Sequence, residues 1–179
     1  TINGSGLNAD DQHSTESADM WQTDPADPGP VWIQYEFDAV YKLHQMQVWN
    51  YNVQFEAILG FGFKDVAVEY SADGENWQSL GDVEFAKATS SGTYAANTVV
   101  DFGGAAVKYV RLTPSSNWGG LPQMGLSEVR FLYIPAHPRQ PQPDDGATDV
   151  DAQTVLSWRP GREADSHEVY LATDPTDLT

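Results

Sequence analysis

Tyr70-Ser71-Ala72-Asp73-Gly74-Glu75-Asn76-Trp77 decides the fold, read with the segment before it, Asp65-Val66-Ala67-Val68-Glu69-Tyr70. Val66, Val68 and Tyr70 fall on one face of an extended chain and Asp65, Ala67 and Glu69 on the other, the alternation of a half-buried strand. Asp73-Gly74 predicts the positive backbone angles of a tight hairpin, and Trp77 then returns a large apolar group to the sheet. Such units build antiparallel β-sandwiches. This one carries no chemistry of its own.

Working outward, Val31-Trp32-Ile33-Gln34-Tyr35-Glu36-Phe37 alternates in the same way, and Val40 to Trp49 gives a further strand with Met46 and Val48 on one face. Later strands are expected at Thr98–Phe102, Val107–Thr113 and Leu126–Ile134, separated by turn formers. No stretch sustains a helical period. The segment from Thr1 to about Pro30 is rich in Gly, Asp, Asn, Ser and Pro and reads as a long ordered loop anchored by Met20-Trp21. The pattern predicts two packed antiparallel sheets.

Pro135-Ala136-His137-Pro138-Arg139-Gln140-Pro141-Gln142-Pro143 is a semi-extended run that marks a boundary. The expected organisation is a domain over 1–134, a Pro-rich linker over 135–146, and the start of another β module over 147–179. In that last piece Thr154–Trp158 and Glu168–Ala172 read as strands. They resemble the opening of a fibronectin type III or immunoglobulin-like module, which this piece is too short to complete.

The chain has 179 residues, 40% of them hydrophobic and 12% aromatic, enough for a well-buried core. Nine basic against 26 acidic residues give a formal net charge of -17, which repels phosphate backbones and anionic lipid heads, so nucleic acid and membrane surfaces are excluded as expected partners. With no cysteine, there is neither a disulfide framework nor a thiolate metal site. A first residue Thr1 reads as a mature product or an excised piece of a longer protein, and the acidity agrees with a secreted, extracellular setting.

Several elements occur in a set order: Asn3-Gly4, Ser14-Thr15 with Trp21, Trp32–Phe37, Val48-Trp49-Asn50-Tyr51-Asn52, Tyr70–Trp77, Lys108-Tyr109-Val110-Arg111-Leu112, and Leu126-Ser127-Glu128-Val129-Arg130-Phe131. Over 1–134 this order resembles the discoidin family, also called coagulation-factor type C domains, which includes the family thirty-two carbohydrate-binding modules. The resemblance implies an all-β, antiparallel jelly-roll β-sandwich whose end loops bind a galactose-like or other neutral sugar or polysaccharide. It also implies a structural calcium ion (Ca2+) between the N-terminal loop and the last strand.

Calcium takes six to eight oxygen ligands. The resemblance assigns Asn3, Ser14 (or Thr15) and Glu128 to it. Asn3-Gly4 stands where relatives have Asp-Gly, a loss of charge for which Asp10 and Asp11 can compensate. For the sugar, an aromatic face and planar polar groups are needed. Asn117 and Trp118 in the loop before the last strand, and Asn50, Tyr51, Asn52 and Glu56 in the loop after Trp49, are the residues so assigned. Trp21, Trp32, Trp49 and Trp77 sit in or beside strands, where core packing is the ordinary role, and Phe55, Phe61 and Phe63 read as a plug for the long loop.

Other chemistry is weakly signalled. The four histidines form no spaced metal pair, His13 reads as a loop hydrogen-bonding residue, and Gly60-Phe61-Gly62 lacks the context of a dinucleotide loop. Asn3-Gly4-Ser5 is formally a glycosylation sequon. With no reason to select a carboxylate pair, an enzyme is not expected. The sequence reading is a non-catalytic carbohydrate-binding module that targets a secreted multidomain protein to a glycan, alongside neighbouring domains of that protein. The alternative is a structural or protein-adhesion sandwich.

Overall fold

The computed structural model describes residues 2–24, 26, 29–162, 164–174 and 176. Thr1, on which the reading of a processed start rests, and residues 177–179 of the expected last module lie outside the described residues, as do three positions of the first long loop. The chain divides into two compact units, Thr1–Ile134 and Pro135–Thr179.

The first unit is all-β. Its elements are β1 (Gln12–His13), a 3-10 turn (Ser17–Asp19), β2 (Trp21–Gln22), β3 (Ile33–Asn50), α1 (Glu56–Leu59), β4 (Asp65–Ser71), β5 (Gln78–Glu84), β6 (Tyr94–Ala95), β7 (Thr98–Pro114) and β8 (Gly125–Tyr133). The main antiparallel ladder runs β2-β8-β3-β7-β4-β5, and β1 pairs with β6.

β3 and β7 are far longer than ordinary strands, because each spans two layers. Ile33–Glu36 of β3 pairs with Leu112–Tyr109 of β7; after register shifts between Glu36 and Tyr41 and between Leu43 and Gln45, the rest of β3 pairs with Val107–Thr98. That later half also pairs with β8. Gly103 and Gly104, both at positive φ, sit at the bend of β7, where a residue with a Cβ would be strained. Shifts of this kind let strands turn a corner between sheets without breaking the ladder. One layer is therefore β5, β4, the end of β7 and the start of β3; the other is the start of β7, the end of β3, β8 and β2.

Tyr35, Val66, Val68, Val110 and Leu112 of the first layer meet Met46, Val48, Val100, Phe102 and Val129 of the second in one buried cluster. The alternation around Val66 and Val68 is seen directly, since both are fully buried. The fold is the expected β-sandwich. The four strands expected over Val31–Trp49 and Thr98–Thr113 are two continuous ones, because hydrogen bonding carries through the corner.

Three local readings need correction. The Asp73-Gly74 turn is not a two-residue hairpin: β4 ends at Ser71 and β5 starts at Gln78, and only Gly74 has positive φ. The Asp73 carboxylate shapes this wider loop by accepting the N–H groups of Glu75 and Asn76, the Asn76 amide and the Ser71 hydroxyl. The first long loop is partly structured, with Trp21 and Gln22 forming the edge strand beside β8. Trp32 is 57% exposed, not core.

The second unit holds β9 (Arg139–Gln142) and β10 (Ser157–Arg159), paired antiparallel. Arg139–Gln142, expected as linker, is a strand, and Pro141 is tolerated because the pair is only two strands wide and leaves an edge free. Glu168–Ala172, expected as a strand, is not one.

Candidate functional site

The long β3 delivers Asn50 to the end of the sandwich, where the chain leaves the sheet. Asn50, Tyr51, Asn52 and Glu56 are all buried. Asn50 Nδ2 donates to the carbonyls of Phe63 at 2.7 Å and Ala86 at 3.0 Å, while its Oδ1 accepts the N–H of Tyr51. Asn52 Nδ2 donates to the carbonyls of Ser14 at 3.0 Å and Ser91 at 2.8 Å. The Glu56 carboxylate accepts the N–H of Phe61 at 3.0 Å and of Gly62 at 2.8 Å. Tyr51 donates its hydroxyl to Gln22 Oε1 at 3.0 Å. These four were expected to face a ligand; Asn50, Asn52 and Glu56 bond backbone groups of their own and neighbouring loops, and Tyr51 bonds the Gln22 side chain.

Burial raises the Glu56 pKa, against the lowering effect of the Gly62 and Phe61 N–H groups. Burial also raises the Tyr51 hydroxyl, with the Glu56 charge adding to it, and raises that of Tyr94. Tyr94 is itself in the network: it receives the N–H of Asn50 on its hydroxyl and donates to Asn97.

The second loop, between β7 and β8, comes to the same rim. Phe63 bridges to Asn117 and Gly62 to Gly125. A Cβ placed on Gly60 would lie 2.5 Å from the Trp118 carbonyl carbon and from the Gly119 nitrogen, so the two loops are in direct backbone contact. Asn117 braces its own loop, with Nδ2 on the carbonyls of Leu121 and Gln123 and Oδ1 on the Gly119 N–H. Trp118 is half-buried; its Nε1 donates to the Phe85 carbonyl at 2.9 Å, and Lys64 Nζ stands 5.0 Å from the ring centre. Of the six residues assigned to the sugar, Trp118 alone combines an open surface with a side chain not consumed by the loop's own bonding. Sequence patterning gave no sign of Lys64. Phe55, read as part of a plug, is 60% exposed, whereas Phe63 does fill the loop end.

The model of the F5/8 type C domain family matches residues 2–128. The chain belongs to this family. Among solved structures, the F5/8 type C domain here is similar to CpGH89CBM32-5 from Clostridium perfringens in complex with GalNAc-beta-1,3-galactose, at TM-score 0.50 and 16% identity over 63% of this chain and 74% of that one. It is also similar to CBM32-3 from a family 31 glycoside hydrolase of the same organism, at TM-score 0.49 and 21% identity over 72% and 80%. A family 89 glycoside hydrolase from Clostridium perfringens matches at TM-score 0.49 and 12% identity over 74% of this chain, which spans only 12% of that enzyme. No curated protein sequence matches the chain.

At the other end of the F5/8 type C domain sequence, the N-terminal loop meets β8. Glu128, 3% exposed, accepts the Gly4 N–H at 3.0 Å. Ser14 and Ser5 each donate a hydroxyl to Asp19, on Oδ2 and Oδ1 at 2.8 Å, and these bonds lower the Asp19 pKa, Ser14 first. Asn3 departs from the expectation: it is exposed and its Oδ1 caps the Ser5 N–H. Asp11 is committed elsewhere, paired through both oxygens with Arg130 at 2.7 and 2.8 Å. No group of three or more His, Cys, Asp or Glu converges among the described residues. The oxygens of Ser14, Asp19 and Glu128 suit a hard cation in kind, while Asn3 does not join them.

Proposed function

We propose that the first unit is a non-catalytic carbohydrate-binding module that takes a neutral sugar at the rim around Trp118 and holds a larger secreted protein on a glycan. The observation that carries this reading is the contact between the Gly60 and Trp118 backbones, which brings two end loops of a discoidin-type sandwich together beside a half-open indole. An indole face matches the apolar side of a pyranose. The polar partners come from the rim, because Asn50, Asn52 and Glu56 point inward. Weak single-site binding, strengthened by repetition, fits such targeting. GalNAc-beta-1,3-galactose, the ligand carried by one similar structure, is the first sugar to test by calorimetry, followed by a glycan array. Loss of binding in Trp118→Ala supports the rim, and unchanged binding overturns it.

Calcium belongs to this proposal through Ser14, Asp19 and Glu128, where it would tie the N-terminal loop to β8.

One observation favours a second reading, a protein-adhesion module. α1 projects Phe55 and Ile58, 60% and 82% exposed, from the same rim, and Leu121 is also exposed there. Of these, the aliphatic Ile58 and Leu121 suit a protein partner better than a sugar. Retained adhesion to a neighbouring domain with no sugar bound on any array would favour that reading.

A further inference from the structure

The outer face of the layer formed by the start of β3, the end of β7 and β4 carries a second group of aromatic side chains. Cross-strand register places Gln34 opposite Arg111 and Glu36 opposite Tyr109 on one side of β7, with Glu69 opposite Arg111 on the other. Trp32 lies two residues before Gln34, so its side chain belongs to the same face. Trp77 folds back from the β4–β5 loop, its Nε1 donating to the Gly74 carbonyl, and its ring centre is 6.4 Å from that of Tyr109.

Arg111 is fixed between these rings. Its Cζ is 4.0 Å from the Trp77 ring centre and 5.8 Å from that of Trp32, which keeps the two indoles within about 10 Å of each other. Nε and Nη2 both donate to Gln34 Oε1, at 3.3 and 3.0 Å. Among the described residues Nη1 has no hydrogen-bond partner, which leaves a held donor beside two indoles.

Charges at the centre of this face are matched, while Asp65 on β4 and Asp82 and Glu84 on β5 leave its far side acidic. Glu36 pairs with Lys108 at 3.4 Å, and Glu69 stands opposite Arg111. In a chain of net charge -17, the acidic β4–β5 side of this face repels a polyanion, and the aromatic centre, where Glu36 and Glu69 face Lys108 and Arg111, suits a neutral ligand. Indole and phenol rings with fixed amide and guanidinium donors are what the alternating apolar faces and hydroxyl edges of a sugar chain require. A purely structural role leaves unexplained why Trp32 keeps 57% of its surface in water.

We infer that this sheet face is a second carbohydrate-binding surface, one that takes a neutral polysaccharide chain laid across Trp32, Arg111 and Trp77. It is independent of the rim site. The rim would take a sugar unit or chain end, and the face an internal stretch of polymer.

The test uses the whole chain with three soluble neutral polymers, hydroxyethylcellulose, guar galactomannan and wheat arabinoxylan, and with polygalacturonate as the charged control. Affinity electrophoresis gives the binding strength, and nitrogen-labelled indole spectra report Trp32 and Trp77 in the unsubstituted protein. The expected result is that at least one neutral polymer retards the protein and shifts both indole signals. Trp32→Ala and Gln34→Ala, both at exposed positions, should weaken that binding by about tenfold or more, while Trp118→Ala leaves the polymer-induced shifts of the Trp32 and Trp77 signals in place. The inference is overturned if no neutral polymer shifts those signals, if polygalacturonate binds more strongly than they do, or if Trp118→Ala abolishes retardation that Trp32→Ala spares. The last outcome would leave the rim reading standing. Conversely, failure of simple sugars at the rim leaves the face untouched.

Discussion

Gly60 and Trp118 meet backbone to backbone, and no side chain fits between them. Gly60 caps α1 in the left-handed region, at φ +69°, and a Cβ there would lie 2.5 Å from the Trp118 carbonyl carbon. Gly60→Ala therefore combines conformational strain with a clash that only a backbone shift relieves. The expected cost is about 2 kcal/mol or more, a fall of roughly 4–8 °C in melting temperature for a chain of this size. Trp118 fluorescence should change with it. A variant with unaltered melting and emission would show that the loops do not bear on each other.

Glu56 is a brace, so its removal should be read in stability before it is read in affinity. Glu56→Ala leaves the buried N–H of Gly62 without its acceptor and that of Phe61 likewise, at about 2–4 kcal/mol in total. The sign with pH follows from the raised pKa. A carboxyl that holds its proton more tightly when folded contributes stability below its ordinary value of 4.5, and that contribution is lost as pH rises through the folded value. Denaturant titrations should thus find the gap between wild type and Glu56→Ala wider in acid than at neutrality. A gap that widens with rising pH would contradict the burial-driven shift.

Much of the architecture was legible in single strands. Val66 and Val68 alternate with Ala67 and Glu69 because β4 has one face on the core, and no tertiary information is needed to see that. The corners in β3 and β7 were not legible, since a bulge that carries hydrogen bonding around a bend leaves the same polar interruption as a loop. The polar residues after Trp49 misled for a related reason. Asn50, Asn52 and Glu56 are the types that read sugars, and they are equally the types that close buried loops; which they do depends on carbonyls of Phe63, Ala86 and Ser91 far along the chain. Trp118 could be placed on a loop because its neighbours Asn117, Gly119 and Gly120 are turn formers, so a strand position was excluded.

Asp73 organises the loop that carries Trp77 onto the sheet face. Its hydrogen bonds, with the Asn76 side chain foremost, hold its carboxyl far below the ordinary value of 3.8. The stabilisation is then fully present above that value and lost as pH falls below it. Asp73→Ala should lower the melting temperature at neutral pH, and the difference from wild type should close in strong acid. A difference that is the same at both extremes would mean that the ionised carboxylate is not what shapes the loop.

Trp49 and Arg130 set up the last test, which concerns the N-terminal loop. The Trp49 indole donates to the Asp11 carbonyl, Arg130 lies 5.2 Å from that ring centre, and Arg130 grips the Asp11 carboxylate. The loop is thereby fastened to the second layer at Asp11, while Ser14 bonds Asp19 and Glu128 of β8 takes the Gly4 N–H, the second set of oxygens. If calcium binds that second set only in the folded state, it must add stability by mass action. Chelation should lower the melting temperature, and added calcium should restore it in a concentration-dependent way. Because the Asp11 clasp remains, the chelated protein should stay folded at room temperature. Melting that is indifferent to exhaustive chelation and to added calcium would remove the ion from this loop and leave its fastening to direct contacts such as the Asp11–Arg130 clasp.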